Sequence, residues 1–210
     1  MPVRAPFPRT ALLASVLLTA AACGTAPEPD AAPSAAPSSQ AVPATPATPS
    51  APAAKAAGSV GGPGSACPLP VSFSLAEKWE PVSVDAELAA LVKRGPALLT
   101  CEVKARKSGD TAFLRVWKAP KGPARAALDA FVKTEKNKGL ALTEAAVGGV
   151  PVVEARYSAY SELLEEWYDG RAFATGTGEG VVVVQLDGVD AEEDRVVAAY
   201  ELARSTLKAS

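Results

Sequence analysis

Hydrophobic and polar positions change rhythm several times along the chain, and each rhythm predicts a different element. Over residues 69–75 they alternate, with Val71, Phe73 and Leu75 on one side, which predicts a strand. Trp79 and residues 80–84 follow. Residues 85–92 have the spacing of a short helix with Asp85 as N-cap, and Gly95-Pro96 breaks it. Alternation returns over 98–106. Leu99, Cys101, Val103 and Ala105 are expected on one face, and Glu102, Lys104 and Arg106 on the other. Ser108-Gly109-Asp110 is a turn and 112–118 the returning strand, so this part of the sheet is antiparallel.

Pro123 suits the first turn of a helix whose apolar stripe is Leu128, Phe131 and Val132, closed by Lys138-Gly139. Residues 140–146 and 150–160 are two strands joined across Gly148-Gly149. Residues 165–175 and 180–186 form another hairpin. The unbroken run Val181 to Val184 predicts a central strand covered on both faces. A last helix opens at Asp190, which caps it with Glu193 as its capping-box partner; Val196, Tyr200, Ala203 and Leu207 are its core stripe. The expected fold class is α+β: a mostly antiparallel sheet with helices packed on it.

The start of the chain has a different pattern. Arg4 and Arg9 precede an uncharged run, 11–22, that contains Leu12, Leu13, Val16, Leu17 and Leu18. A helix over that run rises roughly 18 Å, well short of a hydrocarbon core of about 30 Å. It fits a secretory signal, residues 1–22, better than a membrane span. The run ends in Thr19-Ala20-Ala21-Ala22-Cys23-Gly24, a bacterial lipobox pattern with Ala20 where Leu is usual. The expected chemistry is diacylglyceryl transfer to the Cys23 thiol, cleavage before it and acylation. Each buried CH₂ contributes about 0.8 kcal/mol, and two acyl chains hold where one does not. A plain small-residue cleavage site that happens to precede a cysteine is the competing reading.

Residues 24–65 are dominated by Ala, Pro, Ser, Thr and Gly, with no aromatic residue, Leu or Ile, and with Glu28, Asp30 and Lys55 as their only charges. Such a segment buries too little apolar surface to offset chain entropy, so residues 23–65 are expected to be a disordered tether. As a coil it would span roughly 35–40 Å, and fully extended about 130 Å. A glycosylated stalk is the alternative. One folded domain, 66–210, then remains.

Charge and composition narrow the chemistry. From Ala66 onward 18 Lys and Arg face 21 Asp and Glu, which argues against nucleic acid as partner and against attraction to anionic lipid heads. The chain has no His, which removes the commonest general base and zinc ligand. Besides Cys23, two cysteines remain. In an exported domain Cys67 and Cys101 are expected to form a disulfide. Closing that loop would contribute roughly 3–4 kcal/mol in the chain-entropy model. Two buried free thiols are the alternative.

Three stretches invite sharper readings. Gly176 to Gly180 resembles a phosphate loop, but it runs into a Val-rich strand rather than a helix, so it reads as a hairpin turn. Residues 187–194 are acidic yet lack the 1-3-5 ligand spacing of a calcium loop, and serve a helix N-terminus instead. Adjacent Glu165 and Glu166 would point to opposite faces of a strand. The aromatics Trp79, Trp117, Tyr157, Tyr160, Trp167 and Tyr168 are expected in core or rim, with an exposed cluster as the alternative. No catalytic, cofactor or metal residues are assigned.

From Val71 to the C-terminus the chain resembles the LpqN-like lipoproteins of actinobacteria, which share a PsbP-like α/β/α sandwich. The segments that carry the resemblance are 71–75 with Trp79, 128–131, 149–157, 188–193 and 199–203. The resemblance departs at Ala76-Glu77-Lys78-Trp79, where the family's fold tends to show Pro-x-Gly-Trp. It implies an envelope location and protein binding, and supplies no active-site residues. The expected function is a non-catalytic binding module, a lipid-anchored monomer on the outer side of the cell membrane, with an envelope protein or wall component as partner. The alternative is a hydrolase of wall glycans that uses two carboxylates about 5–9.5 Å apart.

Overall fold

The computed structural model describes residues 53–210. In chain order the elements are β1 (Ala56–Val60), β2 (Val71–Ala76), β3 (Glu80–Ser83), α1 (Ala86–Leu91), β4 (Lys93–Arg94), β5 (Ala97–Lys104), β6 (Ala112–Ala119), α2 (Ala124–Val132), β7 (Asn137–Val147), β8 (Val150–Ser161), β9 (Glu166–Thr177), β10 (Gly180–Gly188), α3 (Asp194–Ser205) and β11 (Lys208–Ala209). The expected signal segment, Cys23 and the tether up to residue 52 lie outside the described residues.

The main sheet runs β3-β5-β6-β10-β9-β8-β7, with β4 added beside β5. All its pairings are antiparallel. β10 holds the middle, and its valines divide between two cores as the unbroken apolar run predicts. Val181 and Val183 face α2, packed with Leu128, Phe131 and Val132. Val182 and Val184 face α3 and a second small sheet, β1-β2-β11. There Phe73 and Leu75 from β2 meet Val196 and Tyr200 from α3. The α+β architecture is as expected, and one of the two covering layers is itself part strand.

Leu99 and Cys101 do not share a face. The pairing of β5 with β6 shifts register between them, so Thr100 is the extra residue of a β-bulge. Ala97 and Leu99 therefore face α2, whereas Cys101, Val103 and Ala105 face α3. Strict alternation predicts one face because a bulge has no side-chain signature of its own.

The expected tether runs too far. Residues 56–60 pair with β2, Val60 opposite Phe73, and Val60 is fully buried. Backbone hydrogen bonds recruit this strand, and they need no hydrophobic pattern. Gly61 keeps the chain close to β2: a Cβ there would lie 1.8 Å from the Val71 carbonyl oxygen.

Two helix ends also differ. α2 stops at Val132 instead of reaching Lys138, because the Asn137 side-chain amide donates to the Val132 and Glu135 carbonyls and the chain turns into β7. α3 begins at Asp194. The Asp190 carboxylate does not cap it but accepts from the Thr111 backbone N–H at 2.6 Å. Asp85 does cap α1, accepting from the Leu88 N–H at 2.8 Å.

Candidate binding surface

The residues singled out in the sequence separate into structural and surface positions. Cys67 and Cys101 are bonded, with Cα atoms 5.9 Å apart, and both are buried. The bond ties the segment after β1 to β5 in the main sheet. Gly176 to Gly180 is the β9–β10 turn, held by Thr177, whose hydroxyl donates to the Gly180 carbonyl. Among residues 187–194, Asp187 pairs with Arg115, Asp190 holds the Thr111 N–H, and Glu192 accepts from the Asp169 N–H. Among the described residues no three Cys, Asp or Glu side chains are grouped to hold a metal ion.

The aromatics split in the same way. Trp79, Trp117 and Tyr157 are buried. Tyr160 and Trp167 pair across β8 and β9 with ring centres 5.3 Å apart. They sit next to the β8–β9 turn, where large apolar side chains stand in solvent: Leu163 is 90% exposed, Leu164 48% and Trp167 40%. Val189, in the segment after β10, is 64% exposed and faces the same hollow, of about 390 Å³. Tyr168, Glu166, Asp187 and Glu192 complete its wall. The Lys136 ammonium lies 3.7 Å from the Tyr160 ring centre and that of Lys138 3.9 Å from Trp167, so these rings accept cations from within the chain.

A polar network lies on the α2 side of the sheet, in the core that Tyr168 packs against. Arg94 donates to both Glu135 oxygens at 2.9 and 2.8 Å, and its guanidinium lies 5.1 Å from the Phe131 ring centre. Burial opposes the charge on Arg94, but Glu135 outweighs it and holds the group protonated. Burial, and then the Glu135 carboxylate, raises the Tyr157 hydroxyl well above its ordinary range. Tyr168 is pushed up to about 12, by burial first and then by Glu135 and Asp187. Its phenol is therefore neutral at any physiological pH. Gly170 lets the Tyr157 ring lie flat on β9, since a Cβ there would come 2.4 Å from it.

Two other surfaces are less suited to hold a ligand. A larger hollow of about 710 Å³ lies at the far end of β9, framed by Pro63, Pro68 and Pro70, and no large exposed hydrophobic side chain lines it. Leu88 and Leu91 of α1, Val82 on β3 and Leu98 on β5 are also exposed, and none of them is aromatic. Sequence reasoning kept an exposed aromatic cluster open without placing it. Leu163, Leu164 and Val189 sit in turns with no periodicity, so nothing in the chain marked them.

Comparison with known proteins gives a fold neighbour and a family. The solution structure of cyanobacterial PsbP (CyanoP) from Synechocystis sp. PCC 6803 superposes with a TM-score of 0.45 at 12% identity, covering 67% of this chain and 87% of that one. No curated protein matches the chain. Among the described residues no helix is long and apolar enough to cross a membrane. A family model described as uncharacterised lipoprotein matches residues 37–207. The match takes in every element from β1 through α3, and the chain belongs to that lipoprotein family.

Proposed function

We propose that this lipoprotein is a non-catalytic binding module of the cell envelope. Lipid on Cys23 anchors it to the outer side of the membrane after the signal segment 1–22 is removed. Its partner, an envelope protein or wall component, is held at the hollow beside the β8–β9 turn. The observation that carries this reading is the solvent-facing set Leu163, Leu164, Trp167 and Val189 around one concavity. Contiguous apolar side chains rimmed by polar ones are what interaction sites leave exposed. Membership of a lipoprotein family supports the anchor. The nearer kinship to LpqN-like lipoproteins of actinobacteria is likewise our reading, on the segments quoted above. Nothing favours the carboxylate hydrolase: of the carboxylates that line the hollow with Glu166, Asp187 is paired with Arg115 and Glu192 accepts from the Asp169 N–H.

Photo-crosslinking in intact envelopes tests the reading. A crosslinker replacing Leu163 is expected to give a discrete recurrent adduct that a crosslinker replacing Leu91 does not, and Trp167→Ala is expected to abolish it. Adducts of equal pattern from both positions, or none from Leu163, would overturn the reading. Circular dichroism on Trp167→Ala shows that the domain remains folded.

A further inference from the structure

The hollow has a charge as well as a shape. Glu166, Asp187 and Glu192 line it, and no Lys or Arg is among its lining residues. The β8–β9 turn, whose Leu163 and Leu164 line the hollow, also carries the exposed Glu162 and Glu165. Asp187 is paired with Arg115. Among the described residues no cationic side chain lies within ion-pair distance of Glu162, Glu165, Glu166 or Glu192. Acidic groups thus surround exposed apolar ones, with a Trp ring and a neutral Tyr in the wall. Anionic lipid would be repelled by this rim. Asp187 and Glu192 have partners in Arg115 and the Asp169 N–H, but an apolar ligand alone would cover Glu166 with no cation to meet it, which desolvation penalises.

We infer that the ligand of this hollow is a polypeptide segment that presents a lysine or arginine next to an apolar side chain. The inference rests on the binding reading above. The apolar side chain packs against Leu163, Leu164, Val189 and the edge of the hollow at Trp167, while the cation meets Glu166. The Trp167 and Tyr160 rings already hold the Lys138 and Lys136 ammonium groups at 3.9 and 3.7 Å, so a carboxylate and not a ring is left to take the ligand's cation. Opposite charge across the rim would set partner choice and encounter rate.

The test uses the mature chain carrying Cys23→Ser and two synthetic peptides of equal length and apolar content. One has arginines beside its leucines, and the other has glutamates. Affinity is read from the fluorescence anisotropy of dye-labelled peptides in every variant, and indole NMR shifts of Trp167 locate the site in the unmutated domain. The arginine peptide is expected to bind at least about tenfold more tightly, an advantage that shrinks with added salt. Glu166→Gln is expected to remove several-fold of it, and Glu162→Gln with Glu165→Gln to flatten the salt dependence. Equal affinity for the two peptides that Trp167→Ala abolishes would overturn the cation inference and leave the hollow as a site. Affinity unchanged by Trp167→Ala would overturn both. A Trp167 response to phosphatidylglycerol vesicles with none to either peptide, or no binding of either peptide at millimolar concentration, would overturn the inference.

Discussion

Lys78 has a left-handed backbone, φ 67, in the turn between β2 and β3, at the position where the resembled fold tends to place glycine. A side chain in that region costs roughly 1–2 kcal/mol relative to glycine. Glycine loses more chain entropy on folding. Lys78→Gly is therefore expected to stabilise the domain by about 0.5–1 kcal/mol, read as a rise in the urea midpoint at unchanged slope. Asp110 is a second position with a clear consequence. It is 3% exposed and accepts a 2.7 Å hydrogen bond from Arg195. That bond, opposed by burial and helped by Ser108, lowers its carboxyl below the ordinary value of 3.8. A carboxylate lowered in the folded state adds stability above its unfolded value and loses it as pH falls through the folded one. Thermal midpoints should therefore fall below about pH 4 in the native chain and fall less steeply in Asp110→Asn, which starts from a lower midpoint at pH 7.

Strands and helices show where a sequence can be read and where it cannot. β6, β8, β9 and β10 were legible because each carries a side-chain rhythm that burial on one or two faces imposes. β1 carries none. Its residues Ala56 to Ser59 are exposed and its place comes from backbone bonds to β2. A chain starting at Ala66 should therefore fold less stably by about 2 kcal/mol, close to the burial of Val60 alone. An unchanged denaturation midpoint would mean that β1 is dispensable. The Thr100 bulge escaped because it depends on pairing with β6, distant in sequence, and the early end of α2 because the side-chain bonds of Asn137 that close it leave no mark in the apolar spacing. The binding surface was legible only in part. Tyr160, Trp167 and Tyr168 were visible as aromatics beside polar neighbours. The hollow exists because the β8–β9 turn meets the segment after β10, a meeting that no local pattern encodes.

At the scale of the whole molecule the chain is a lipoprotein with a domain that begins at or before β1. If Cys23 bears the lipid, Cys23→Ser should move the protein from the membrane pellet to the soluble fraction, and a salt wash should not release the unmutated form. Persistence of the mutant in a salt-washed pellet would refute the anchor. The entry of the chain into the domain then acquires a mechanical meaning. Tension from an anchored end first meets Ala54, packed on the core, and Lys55, whose carbonyl accepts from the Glu77 N–H, and then peels β1 away from β2, a strand with few side chains in the core. The next covalent tie is Cys67, bonded to Cys101 in β5. The slack between Ala56 and Cys67 is at most about 40 Å of chain, after which the pull passes into the main sheet and bypasses β2. The disulfide acts as a mechanical stop: a tugged domain yields one edge strand and keeps the far end of its sheet, where the hollow lies, intact. With the bond reduced, the same pull would run on through β2 and strip the layer that covers the α3 core.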